Sequence, residues 1–260
     1  MKRDSICRLG AMVSALLFAV VWLLDPIVSA DETVQFLFKS SVSRAIGSLV
    51  FAFVLAYLGY RVFHAPRRIH AAAVLPALVI AVNNMPILGL FRGWVWVERV
   101  EWVWLFALDT FLIGLFEELA FRGVLFPYLL ENRRDSRKRI FFTTVICSAL
   151  FGLVHLVNLL EGAGFGATVL QVGYSFLIGG MCSIVLLKTG NLLYCILLHG
   201  IYDFGGGLVP TLGGGDLWDT PTVVLTVILS VIVIVWMLML LWRVTPEDAD
   251  KFYQKKEIKQ

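Results

Sequence analysis

The sequence predicts an all-α fold: a polytopic helical membrane protein with about eight transmembrane helices. Three observations lead there. Of the 260 residues, 59% are hydrophobic and only 16% charged, too few charges to give an ordinary soluble domain its polar surface. The apolar residues gather in runs, most of which reach the roughly 17–25 residues that a helix needs to cross a hydrocarbon core. Basic links alternate with balanced or acidic ones, the pattern expected of a chain threaded back and forth through a membrane.

The runs lie near 9–24, 42–63, 71–91, 102–130, 140–160, 168–187, 192–204 and 222–242. Lys2, Arg3 and Arg8 precede the first, and Asp25, Asp31 and Glu32 follow it. Arg61, Arg67 and Arg68 make the next link basic, with His64 and His70 at its interface. In the third run Pro76 and Pro86 predict a bend, where Asn83 and Asn84 can satisfy freed backbone groups. Arg92, Glu98, Arg99 and Glu101 lead into the fourth run, and ENRRDSRKR at 131–139 leads out of it. Glu161, Lys188, then Asp216 and Asp219 continue the alternation, and Arg243 closes it. The run at 192–204 is the shortest, and glycines at 205–207 and 213–215 mark an irregular connection after it, a turn or a lid.

Every second link is basic, so eight spans with both termini cytoplasmic form a consistent arrangement, expected in a bacterial cytoplasmic membrane. The first thirty residues also resemble a secretory signal, with VSA before Asp31 as the cleavage site; its removal would leave seven spans in the same orientation. Residues 1–260 read as one transmembrane domain with a short cytoplasmic tail at 245–260 and no internal repeat. The net charge of +3 comes largely from the links and supports orientation, not nucleic-acid binding. Cys7, Cys147, Cys182 and Cys195 lie in or beside apolar segments without CxxC spacing, so neither a disulfide framework nor a zinc finger follows.

Function must come from polar groups inside the spans. GLFEELAFRG at 114–123 places Glu117, Glu118 and Arg122 in a run whose other charge, Asp109, sits nearer the outer end and can reach the interface. Each such group costs about 2.5–3.5 kcal/mol on insertion scales. Glu118 and Arg122 have the favourable acid-first, four-residue spacing of a helical ion pair. Glu117 points about 100° away and is the spare charge. It is either a general base or a protonated carboxyl bonded between helices. Two histidines also fall within spans, His155 in FGLVH and His199 in HGIYD; each shares a helix face with the residue four away, Phe151 and Asp203 respectively. At about 1.5 Å per residue, Glu117 and His155 lie about 20–22 Å from the cytoplasmic ends of their spans, and His199 about 10–12 Å.

EELAFR, FGLVH and HGIYD, in this order on separate helices, resemble the CAAX protease and bacteriocin-processing family of intramembrane peptidases, whose pattern is EExxxR, FxxxH and Hxxx followed by Asn or Asp. The resemblance implies peptide-bond hydrolysis in the membrane. It matches Glu117 and His155 to the positions that activate the attacking water. It matches His199 and Asp203 to those near the oxyanion, and gives Glu118 and Arg122 the task of holding the helix in register. Where many relatives carry Asn, this chain has Asp203, which as a carboxylate cannot donate to an oxyanion; supporting the His199 imidazole is the favoured role. The resemblance leaves open a metal-free glutamic mechanism or a divalent metal such as zinc on Glu117, His155 and His199, and HExxH is absent. The implied partners are membrane lipid and a peptide or protein substrate, prenylated or otherwise membrane-associated.

Other readings are weaker. Ser175 with His199 offers a serine protease pair, but Gln171, Ser175, Gly179 and Ser183 recur every four residues as a helix-packing face. Tyr202–Asp203 and Gly213–Asp216 carry the letters of aspartyl intramembrane proteases without a span between the two acids. A transporter would place the same residue types in its helices without needing the ordered motifs, and a scaffold or immunity protein would keep the fold without the chemistry.

Overall fold

The computed structural model describes residues 2–24, 27–64, 70–215 and 220–253. Asp25, Pro26, Arg67, Arg68, Asp216, Asp219 and the segment 254–260 lie outside the described residues. Helices α1 (Lys2–Leu24), α2 (Glu32–Leu58), α3 (Ala71–Asn83) and α4 (Ile87–Arg92) lead to a short strand β1 (Val95–Val97). A 3-10 turn then opens α5 (Val103–Glu118), which runs without a break through a π-helical segment, Leu119–Leu125, into α6 (Phe126–Leu130). Next come α7 (Arg137–Val154) with a 3-10 turn at His155–Leu159, α8 (Phe165–Thr189), α9 (Leu192–Leu212), β2 (Gly213–Gly215), α10 (Thr220–Trp242) and α11 (Pro246–Asp250).

The fold is the all-α polytopic membrane class that the sequence predicts. Six helical stretches among the described residues are long and apolar enough to cross a membrane: α2, Ala71–Arg92, Arg137–Leu159, α8, α9 and α10. The expected count of about eight is not reached on this measure. Among the described residues α1 counts as a shorter apolar helix, Ser5–Val20. The continuous helix from α5 to α6 is apolar apart from Asp109, Glu117, Glu118 and Arg122, and those four charges set it apart from the six.

The loops sort to two ends. At one, Asp31 caps α2 by accepting from the Thr33 and Val34 N–H groups at 3.0 and 3.1 Å and pairs with Arg99 at 2.5 Å, while β1 and β2 pair antiparallel beside it. At the other, basic end, Arg8 donates to Tyr57 Oη at 2.5 Å. The residues after α10 fold back there instead of trailing off. Thr245 and Asp248 form a capping box for α11, and Ala249 and Phe252 are fully buried. Phe252 O accepts from the Arg61 N–H at 2.8 Å, Tyr253 Oη donates to Pro127 O at 2.6 Å, and Lys251 Nζ donates to Leu187 O at 2.7 Å. Up to Tyr253 the expected polar tail is therefore a strap that joins the ends of α2, α6 and α8. It is polar because its partners are carbonyls and charges.

Three local expectations change. Glycines 205–207 do not end the seventh run, because α9 continues through them and Pro210 to Leu212. They permit contact: a Cβ on Gly205 would lie 2.7 Å from Met85 N. Asn84 Nδ2 donates to Tyr202 O at 2.7 Å and Asn83 Nδ2 to Thr226 Oγ1 at 2.9 Å, so these asparagines tie α3 to α9 and α10 instead of patching their own helix. Asp109 does not reach the interface. It is 2% exposed and accepts from Ser41 Oγ at 3.2 Å.

Between α5 and α9 the backbones touch through glycine. A Cβ on Gly114 would sit 2.9 Å from Ile196 O. Such close approach is how membrane helices gain packing energy without a hydrophobic driving force. It brings the end of α5 against the middle of α9, and the motif residues with it.

Candidate active site

Glu117 and Glu118 close α5, Arg122 lies in the π segment, Phe151 and His155 stand at the end of α7, and His199 and Asp203 face inward from the middle of α9. The π segment was not legible in the sequence. A wide turn of this kind inserts a residue into the helical ladder and is found preferentially at functional sites.

Glu118 and Arg122 are both fully buried and pair at 3.0 Å, Arg122 Nη1 donating to Glu118 Oε1. The same Oε1 lies 2.8 Å from His199 Nδ1. A carboxylate can only accept, so Nδ1 carries its hydrogen and donates. That leaves His199 Nε2 facing Asp203 Oδ2 at 3.4 Å and Glu117 Oε2 at 3.7 Å. The expected ion pair is present, and its second task, holding His199, was missed. Asp203 meets the same imidazole, but at the nitrogen that Glu118 leaves open.

Phe151 organises the remainder. The Arg122 guanidinium lies over its face, Cζ 4.2 Å from the centroid. Its edges meet Phe121 at 4.9 Å, His155 at 5.3 Å and His199 at 5.8 Å. Gly179 of α8 leaves room for the guanidinium, since a Cβ there would stand 2.7 Å from Arg122 Nη2. His155 Nδ1 donates to Phe151 O at 2.9 Å, so its Nε2 is free to accept. The structure thus brings Glu117, Glu118, Arg122, His199 and Asp203 together. His155 joins them through Phe151, with no direct bond to Glu117 among the described residues.

Of the expected metal ligands, Glu117 and His199 face each other at 3.7 Å, and His155 does not join them in one cluster among the described residues. The group of metal-capable side chains among the described residues is Glu118, Cys182 and Cys195, all buried, with ligand atoms within 4.8 Å of one another. It could hold a cation. Two features oppose one: Glu118 Oε1 is already shared by Arg122 and His199, and Cys195 Sγ donates to Cys182 O at 3.1 Å.

Arg44 was missed. It is half-buried on α2, its Cζ 5.2 Å from the centroid of Phe116, the residue before Glu117. A run starting at 42 puts it at the interface. The cap signal of Asp31, followed by an apolar stretch, would have started the helix ten residues earlier and put Arg44 deep inside.

Residues 99–205 match the family described as type II CAAX prenyl endopeptidase Rce1-like. The chain carries an Rce1-like core. That core begins just before α5, ends in α9 at Gly205, and contains all the motif residues described above. Helices α1 to α4 and α10 to α11 flank the Rce1-like segment. Neither a curated protein nor a solved structure matches the chain. An Rce1-like core in a bundle of apolar helices supports a membrane-embedded protease.

Proposed function

We propose that the protein is an intramembrane endopeptidase of the glutamic type, which hydrolyses a peptide bond near the C terminus of a lipidated protein or peptide. One observation carries the reading. Among the described residues Glu117 has no Lys or Arg partner, and its Oε2 faces, at 3.7 Å, the Nε2 of an imidazole that Glu118 holds from behind.

In this mechanism Glu117 takes a proton from water as the water oxygen attacks the scissile carbonyl carbon. His155, its Nδ1 fixed by Phe151 O, accepts from the same water and aims it. The carbonyl electron pair moves to oxygen, and the tetrahedral oxyanion is met by the Nε2–H of a protonated His199. Glu118 and Asp203, one at each nitrogen, support that protonated form. Collapse breaks the C–N bond, and the leaving amine takes the proton from Glu117. No step is routed through a metal, because His155 stands apart from Glu117 and His199 among the described residues.

The sorting of basic links to one end supports an orientation with that end cytoplasmic. Arg8 at the start and the strap at the close both lie there. The test is Glu117→Gln in the purified full chain. Cleavage of a lipidated peptide should fall by about 10²–10⁴-fold, the share that general acid–base catalysis supplies, with the folded yield unchanged. Wild-type turnover by that variant overturns the mechanism. Loss of wild-type activity on dialysis against a zinc chelator, restored by zinc, overturns its metal-free form.

A further inference from the structure

Arg44 lies twelve residues past Glu32, about 18 Å along α2 at the usual helical rise. Measured from the same end of the bundle, Glu117 is about 21 Å along α5 and Asp203 about 14 Å along α9. The guanidinium is level with the candidate site. At such a depth an Arg is expected to face a bundle interior or wet cavity and to be paired. Among the described residues, Arg44 forms neither a hydrogen bond nor an ion pair through its guanidinium; its contact is the Phe116 ring. The packing directs it there, because Gly47, one turn on, has no side chain and the Phe116 ring fills that space, 2.5 Å from where a Cβ would be. Asp109 and Asp203 are within electrostatic reach of Arg44 without bonding to it.

We propose that Arg44 binds the C-terminal carboxylate of the peptide substrate. The inference rests on the endopeptidase reading and extends it to the substrate's far end. A CAAX tail stops three residues beyond its cysteine. Extended, three residues span about 10 Å, close to the roughly 8–10 Å between the axes of packed helices. A peptide cut at Glu117 would therefore carry its terminal charge toward a neighbouring helix. Without Arg44 that charge would meet Glu117, Asp203 and Asp109 in an apolar medium, a repulsive arrangement. A guanidinium matches a carboxylate in two-pronged geometry, which a lysine cannot reproduce. Arg44 lies outside residues 99–205, so the assignment comes from how this chain packs α2 against its Rce1-like core.

The test uses the purified full chain in phosphatidylcholine vesicles. The substrate is a synthetic peptide with an isoprenylated cysteine and three further residues, made as the free acid and as the C-terminal amide. Wild type should favour the acid in kcat/KM by about tenfold or more, the scale of one charge-assisted bond. Arg44→Gln should collapse that ratio to near one by lowering the acid, and Arg44→Lys should restore part of it. A wild type indifferent to amidation, or an Arg44→Gln defect equal for both peptides, overturns the proposal. So does a defect that appears only with phosphatidylglycerol in the vesicles and leaves the ratio intact, since Arg44 would then hold a lipid phosphate. Binding measured in Glu117→Gln separates the two readings. If the acid binds more tightly than the amide there, and Arg44→Gln abolishes the difference, Arg44 is assigned even if the Glu117 mechanism fails. Equal binding of acid and amide overturns Arg44 alone.

Discussion

Glu118–Arg122 and Asp135–Arg139 are the same ion pair in two solvents. Both join an acid to an arginine four residues later, at 3.0 and 2.9 Å. The first pair is 0% exposed on both sides, and the second is 59% and 65% exposed. In the exposed pair the remaining donors and acceptors are open to solvent. In the buried pair Glu118 Oε2 and Arg122 Nε and Nη2 have no hydrogen-bond partner among the described residues. Identical geometry thus marks an incidental contact at one end and a costly, incompletely satisfied arrangement at the other. That cost makes sense where the arrangement holds His199 for chemistry. Lys188–Asp248, at 2.7 Å and 9% and 21% exposure, lies between them.

After Glu117→Gln, the largest effect should come from Arg122→Ala. It strands a buried carboxylate, which typically costs about 3–5 kcal/mol, and leaves Glu118 free to turn from His199. Folded yield and thermal stability in detergent should both fall, with activity reduced in whatever folds. Replacing both partners, Glu118→Gln with Arg122→Met, should recover much of the stability and little of the activity, since His199 loses its charged acceptor. Wild-type stability of the single variant would show the pair to be no more than the exposed one in a different place.

Asp203→Asn comes next. Asn keeps an acceptor oxygen near His199 Nε2 and removes the charge, so kcat/KM should stay within about tenfold of wild type, equivalent to about 1.4 kcal/mol. Complete loss with intact folding would mean that the carboxylate charge, and not its position, sustains His199. Lys188→Ala should cost about 1 kcal/mol, toward the upper end for accessible pairs. Lys188 also donates to Arg243 O at 3.1 Å, so the readout is loosening of the strap, seen as faster proteolysis after Trp242.

The exposed and buried pairs also explain what was legible. The all-α membrane class and the Glu118–Arg122 pair follow from period and composition, which act locally, whereas the count of spans and their bounds do not. The motif residues could be named because their types are improbable in apolar runs. What could not be read depends on contacts between distant segments. The bond from Glu118 to His199 crosses 81 residues, and the strap's anchors join residue 61 to 252 and 127 to 253. Gly205 looked like a loop signal because its reason for being small, Met85 on another helix, is invisible along the chain. Arg44 was lost differently. A boundary set ten residues late turned a charge at mid-depth into an interfacial one, although Asp31 carried the signal to correct it.

The smallest effect is the control for the comparison. Arg139→Ala removes one half of a pair whose length and spacing match those of Glu118–Arg122, so a pairing energy fixed by geometry would make the two arginine variants alike. Solvent predicts otherwise. An exposed, four-residue-spaced pair contributes about 0.3–0.5 kcal/mol, and screening at about 1 M salt, where the Debye length is near 3 Å, should erase most of that. Arg139→Ala should therefore shift the thermal midpoint barely at low salt and not measurably at high salt, whereas the Arg122→Ala deficit should be the same at both. An Arg139→Ala loss comparable to that of Arg122→Ala, or an Arg122→Ala deficit that salt removes, would place the two pairs in one environment and take away the reason for reading the buried one as functional.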